Sequence, residues 1–201
     1  MRVFGHAVAD GALGAVGVEI DVRRTVDDRL VLAHDPDPPP SAPSLVSMLD
    51  ACAAAGLTLN IEIKCFERDP EWDPSQRVTH LVLDLLDARD RRDDVLVSCF
   101  GFDALDLARD RGVPAAMLYL SRRPAPQLLD AVLDHGLSAV HPYVSMVDEA
   151  FLSEARARGL TVNAWGDERF DDLVALGVDG LITERVTDAV AAIAAAGAAP
   201  R

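Results

Sequence analysis

The chain has 201 residues, of which 50% are hydrophobic, 26% charged and 5% aromatic, and its formal net charge is −14. That length suggests one domain over residues 1–201, or at most two small ones, and can bury a substantial core without disulfide or metal staples. The acidic balance argues against a nucleic-acid binder or a peripheral binder of anionic membranes, because both need clustered positive charge.

The N-terminal stretch MRVFGHAVAD lacks the charged start and long apolar run of a signal peptide. No segment approaches the roughly 18 apolar residues of a membrane span, so a cytoplasmic protein is expected. The first apolar run, RVFGH, ends on His6. Only twelve residues separate His6 from Glu19, and they include Gly11, Gly14 and Gly17. A crossover between parallel strands needs a dozen or more residues, so the first helix should be rudimentary or missing.

GVEIDV follows. Side chains alternate along a strand, so Glu19 and Asp21 share one face while Val18, Ile20 and Val22 take the other. Too few residues lie between GVEIDV and LVLAHD for a helical crossover, and a hairpin is the simpler geometry. A turn centred on Asp27 and Asp28 places residue 21 opposite His34, where a carboxylate would raise the basicity of the imidazole. After the loop DPDPPPSAPS, SLVSMLDACAAAG reads as a helix ending at Gly56. The next strand, LTLNIEIK, puts Asn60, Glu62 and Lys64 on one face. Lys64 is the only lysine in the chain, against eighteen arginines.

The same grammar then repeats. Helical patterns end at Gly112, Gly136, Gly159 and Gly177, before VPAAMLYL, LSAVHPY, LTVNAW and VDGLIT. His80 and His135 fall on helical patterns and read as structural or solvated. His141 and Tyr143 share one strand face, as do Thr161, Asn163 and Trp165; Trp165, at a strand's end, could wall a pocket. Thr187 to Ala199 reads as a last surface helix. Cys52, Cys65 and Cys99 are odd in number and scattered, which fits buried small residues rather than a disulfide framework or a zinc site.

Strands separated by helical patterns imply a mostly parallel sheet, best fitted by a (β/α)8 TIM barrel. An open doubly wound sheet is the alternative, but no Gly-rich phosphate fingerprint follows any strand. In a barrel the outward faces lie under helices, so the polar faces of GVEIDV and LTLNIEIK look inward. Charge there is costly unless paired or bound, and hard divalent cations favour such oxygen ligands.

GVEIDV, LVLAHD, LNIEIK, VLVSCF, VNAW and DGLITERV, in that order, resemble the glycerophosphodiester phosphodiesterase family from Gly17 to Val186. The resemblance implies a phosphodiesterase-type TIM barrel with a divalent metal ion, Mg²⁺ or Ca²⁺, acting on a small phosphodiester. By position it implies Glu19, Asp21 and Glu62 as metal ligands and Lys64 as a cation for a phosphate oxygen. It also implies His34 and His6 as the two catalytic histidines and Trp165 as a pocket residue, while His141, by its own strand position, could reach the same rim and contact substrate.

The sequence departs from the family at named places. His6 is followed by Ala7 and Val8 where the family has arginine and glycine, and the family's Glu-Asn motif is absent. The segment after His34 is cut down, with no insertion subdomain. The context of His6 also resembles sphingomyelinase D-type phospholipases, lyases that form cyclic phosphates. A barrel that binds a phosphorylated ligand without catalysis is the third reading.

Overall fold

The computed structural model describes residues 1–6, 17–120 and 125–197, with the side chains of residues 2, 3 and 6 excepted. The expected reduction of the first crossover lies outside the described residues. Two compact units are formed, Ile20–Ala115 and Met1–Glu19 with Ala116–Arg201.

The unit from Ile20 takes in all but the first three residues of β2 (Gly17–Arg24), which turns back into β3 (Leu30–Leu32). Next come α1 (Leu45–Ala55), β4 (Thr58–Ile63), α2 (Arg77–Arg89), β5 (Val95–Cys99) and α3 (Phe102–Asp110). α1 begins where the Ser44 hydroxyl accepts a hydrogen bond from the Ser47 amide, 3.1 Å away, which satisfies one of the free N–H groups of the first turn. It ends at Gly56, where φ is 66° and a side chain would be strained. Leu45, Leu49 and Cys52 recur at helical spacing and are buried. β4 is buried on both faces, as a parallel strand under helices must be, with Leu59, Ile61 and Ile63 on one side and Asn60 and Glu62 on the other. It pairs with β5 in parallel, with Glu62 in register with Ser98.

The other unit holds β1 (Arg2–His6) and then the run from β6 (Ala115–Tyr119) onward. That run is α4 (Ala125–Asp134), β7 (Ala139–Pro142), a 3₁₀ turn at Val144–Met146, α5 (Glu149–Ala157) and β8 (Thr161–Trp165). It finishes with α6 (Phe170–Leu176), β9 (Gly180–Thr183) and α7 (Val186–Ala195). β1 pairs in parallel with both β9 and the start of β2, where His6 is in register with Glu19.

The strand order is β1-β9-β8-β7-β6-β5-β4-β2, with the β1–β2 pairing joining the ends. Eight parallel strands alternating with helices make a TIM barrel. β3 is the additional, antiparallel strand.

One expectation is corrected. A turn centred on Asp27 and Asp28 puts residue 21 opposite His34, but the structure pairs Val22 with Leu32, and the Ala33 amide donates to the Asp21 carbonyl. The register is one residue out because the loop between Thr25 and Arg29 has three residues, with Asp28 left-handed at φ 62°. Three-residue hairpin loops close in this way, and the odd count shifts the whole ladder.

Candidate active site

Glu19, Asp21 and Glu62 are buried, and one ligand oxygen from each lies within 4.8 Å of the others. Strand alternation on β2 supplies the first two, and the neighbouring β4 supplies the third. Lys64 follows β4 and turns its ammonium into the same group, with Nζ 2.7 Å from Asp21 Oδ1 and 2.5 Å from Glu62 Oε1. Its side chain is 6% exposed. Burial alone would push the ammonium down, but the Glu62 and Asp21 carboxylates outweigh it and hold its pKa above the ordinary value. Three carboxylates and one ammonium carry more negative than positive charge in a buried space, which suits a hard cation with oxygen ligands.

His34 stands just past β3 with its side chain 74% exposed. The carboxylate beside it is Asp35, whose Oδ1 lies 2.8 Å from His34 Nδ1, and not Asp21. The backbone of His34 is held from inside. Arg23 donates to the His34 carbonyl through Nε (3.0 Å) and Nη2 (2.8 Å). The same guanidinium reaches Asp69 Oδ2 at 2.8 Å and also Glu71. Arg23 continues the Glu19–Asp21 face by one more alternation, so extending GVEIDV by a single residue would have revealed it. His6 ends β1, and its side chain lies outside the described residues.

In the other unit His141 is wholly buried on β7. Its Nε2 lies 2.9 Å from Asn163 Nδ2, while Nδ1 has no partner. Burial without a compensating charge lowers its pKa from 6.5 to about 3, so the ring is neutral at ordinary pH. The Trp165 indole N–H donates to the His141 carbonyl at 3.0 Å, and its ring meets Tyr143 edge-on at 4.6 Å. Trp165 is partly exposed at the end of β8.

Residues 37–188 match the model of the glycerophosphoryl diester phosphodiesterase family. The chain belongs to this family. The matched span contains Glu62, Lys64, His141 and Trp165 and begins after His6, Glu19, Asp21 and His34. Human glycerophosphocholine phosphodiesterase is 28% identical over 73% of this chain and 26% of its own length. The chain thus spans about a quarter of that relative. Among solved structures, a candidate glycerophosphoryl diester phosphodiesterase from Silicibacter pomeroyi superposes with a TM-score of 0.86 at 20% identity, covering 100% of this chain and 95% of that one. A phosphodiesterase from Oleispira antarctica, solved with its product sn-glycerol-3-phosphate, gives 0.81 at 18% identity, covering 96% and 97%. A glycerophosphodiester phosphodiesterase from Parabacteroides distasonis gives 0.81 at 16% identity, covering 98% of each chain. At such identities the three superpositions speak for the fold.

Proposed function

We propose that this domain is a metal-dependent phosphoric diester hydrolase that splits glycerophosphodiesters, or similar small diesters, into an alcohol and a phosphomonoester. The observation that carries the reading is the buried carboxylate triad of Glu19, Asp21 and Glu62, with Lys64 against it, in a chain of this family. The three carboxylates would hold a divalent cation, Mg²⁺ or Ca²⁺, which supplies positive charge to the nonbridging phosphate oxygens. Lys64 supports the same oxygens with a compact ammonium. His34 and His6 divide the proton work: one takes the proton of the attacking water, and the other returns a proton to the leaving alkoxide. Arg23 fixes the backbone from which the His34 ring projects. By the resemblance Trp165 would serve the alcohol group, and the His141 carbonyl holds the indole by accepting its N–H. In this reading residues 1–201 form one catalytic domain.

The test is hydrolysis of glycerophosphocholine followed by phosphorus NMR, with Mg²⁺ or Ca²⁺ and after chelation. A phosphomonoester signal that disappears on chelation and in Glu62→Gln supports the reading. A cyclic phosphate product, or turnover indifferent to both treatments, overturns it.

A further inference from the structure

The three cysteines are not equivalent. Cys52 is buried on α1. Cys65 and Cys99 are 34 residues apart in sequence, yet their sulfurs are 3.3 Å apart. Cys65 follows Lys64 just past the end of β4, and Cys99 follows Ser98 as the last residue of the adjacent strand β5. The next residues along, Phe66 and Phe100, also pack together, with ring centroids 5.7 Å apart. The two strand exits are therefore pinned side by side at the sulfurs and at the rings. A disulfide needs sulfurs about 2.05 Å apart, so closure asks for a little over an ångström of movement, within the reach of side-chain torsions and a small backbone shift. The pair differs in access: Cys65 is partly exposed, and Cys99 is buried, with its thiol near the Ile63 carbonyl at 3.3 Å.

We propose that Cys65 and Cys99 form an oxidisable dithiol, a modification site in which peroxide closes a disulfide one residue from Lys64 and displaces that lysine from Asp21 and Glu62. Cys65 is the attacking sulfur. It bonds to one oxygen of hydrogen peroxide, the O–O bond breaks, and the departing hydroxide leaves as water with the thiol proton. The resulting sulfenic acid is then attacked by the Cys99 sulfur. The S–S bond forms, the S–O bond breaks, and the second hydroxide takes the Cys99 proton. Two thiols and one peroxide give one disulfide and two waters. The hydrogen bond between the two sulfurs holds the Cys65 thiol below its ordinary pKa, and the Cys99 thiol is raised by the same bond and by burial. That asymmetry matches the two roles. The effect on turnover rests on the function proposed above, whereas the disulfide itself does not.

Peptide mapping of the peroxide-treated protein without reductant reads the link directly. A Cys65–Cys99 peptide, formed equally in Cys52→Ser and cleaved by dithiothreitol, is the expected result. In Cys99→Ser, dimedone should instead trap a sulfenic acid on Cys65. The linked protein should hydrolyse glycerophosphocholine more slowly, by on the order of 10²-fold if the ammonium moves by about an ångström. Dithiothreitol should restore the rate. Oxidation of Cys65 to sulfinic acid with no link, or links scattered over Cys52, would overturn the site. A linked protein with undiminished turnover would overturn its coupling to Lys64. Absence of turnover in the reduced protein would count against the proposed hydrolase, while the mapping would still decide the disulfide.

Discussion

Lys64 is the sole ammonium side chain of the chain, and it lies 6% exposed between two carboxylates. A guanidinium is wider, planar and less able to serve as a point charge in that space. Lys64→Arg should therefore lower both turnover and melting temperature, whereas Arg68→Lys, at an 83% exposed side chain, should change neither. Lys64→Met leaves buried carboxylates without their cation. Loss of one partner from a buried pair costs about 3–5 kcal/mol, a deficit that added Ca²⁺ should partly recover in a melting experiment. His34 is the opposite case. Its ring is largely in solvent, so His34→Ala should leave the melting temperature unchanged. Turnover should nevertheless fall by about 10²–10⁴-fold, and full activity in this variant would remove His34 from the reaction. His141 makes a claim about pH. Its folded pKa of about 3 lies below the ordinary 6.5, so the unfolded chain binds the extra proton between those values. Its contribution to stability is complete above 6.5 and is lost as pH falls, by on the order of 1 kcal/mol per pH unit until about 3. Carboxylates titrate in the same range, so the comparison is with His141→Gln, whose melting temperature should decline less steeply on acidification.

At the level of elements, two glycines that end helices invite a contrast. A methyl group on Gly56 would meet nothing within 4 Å, so Gly56→Ala should cost only the left-handed conformation, about 1 kcal/mol in a urea titration. On Gly177 it would come within 2.9 Å of Arg156 Nη2, which donates to the Leu176 and Gly177 carbonyls, both at 2.8 Å. Gly177→Ala should be the more damaging by about 1 kcal/mol for those bonds. The helix-to-strand rhythm was legible because each unit repeats one local pattern: an amphipathic run, a glycine, a β-rich run. The carboxylate faces were legible for the same reason, since alternation is local. The hairpin register was not, because it depends on whether three residues or two make the loop, and a left-handed Asp28 carries no distinctive signal.

For the molecule as a whole, a divalent ion bound only by the folded state should stabilise it. At a concentration a hundredfold above its Kd the gain is about 2.7 kcal/mol. The rise in melting temperature with Mg²⁺ or Ca²⁺ should vanish in Glu62→Gln, and its persistence there would place the ion elsewhere. What escaped the sequence at this scale are pairings between distant segments. Arg23 meets Asp69 and Glu71 across more than forty residues, Cys65 meets Cys99 across 34, and His141 meets Asn163 across 22. Periodicity identifies which face a residue occupies, but a partner so remote is chosen by the order in which strands are laid side by side. The lone lysine has one further consequence. Supplying ¹⁵N-lysine to this chain would label a single side chain, and that side chain touches two of the three proposed ligands. Its ammonium resonance would be a one-line spectrum of the site, shifting as cation is added and again if the neighbouring thiols are oxidised.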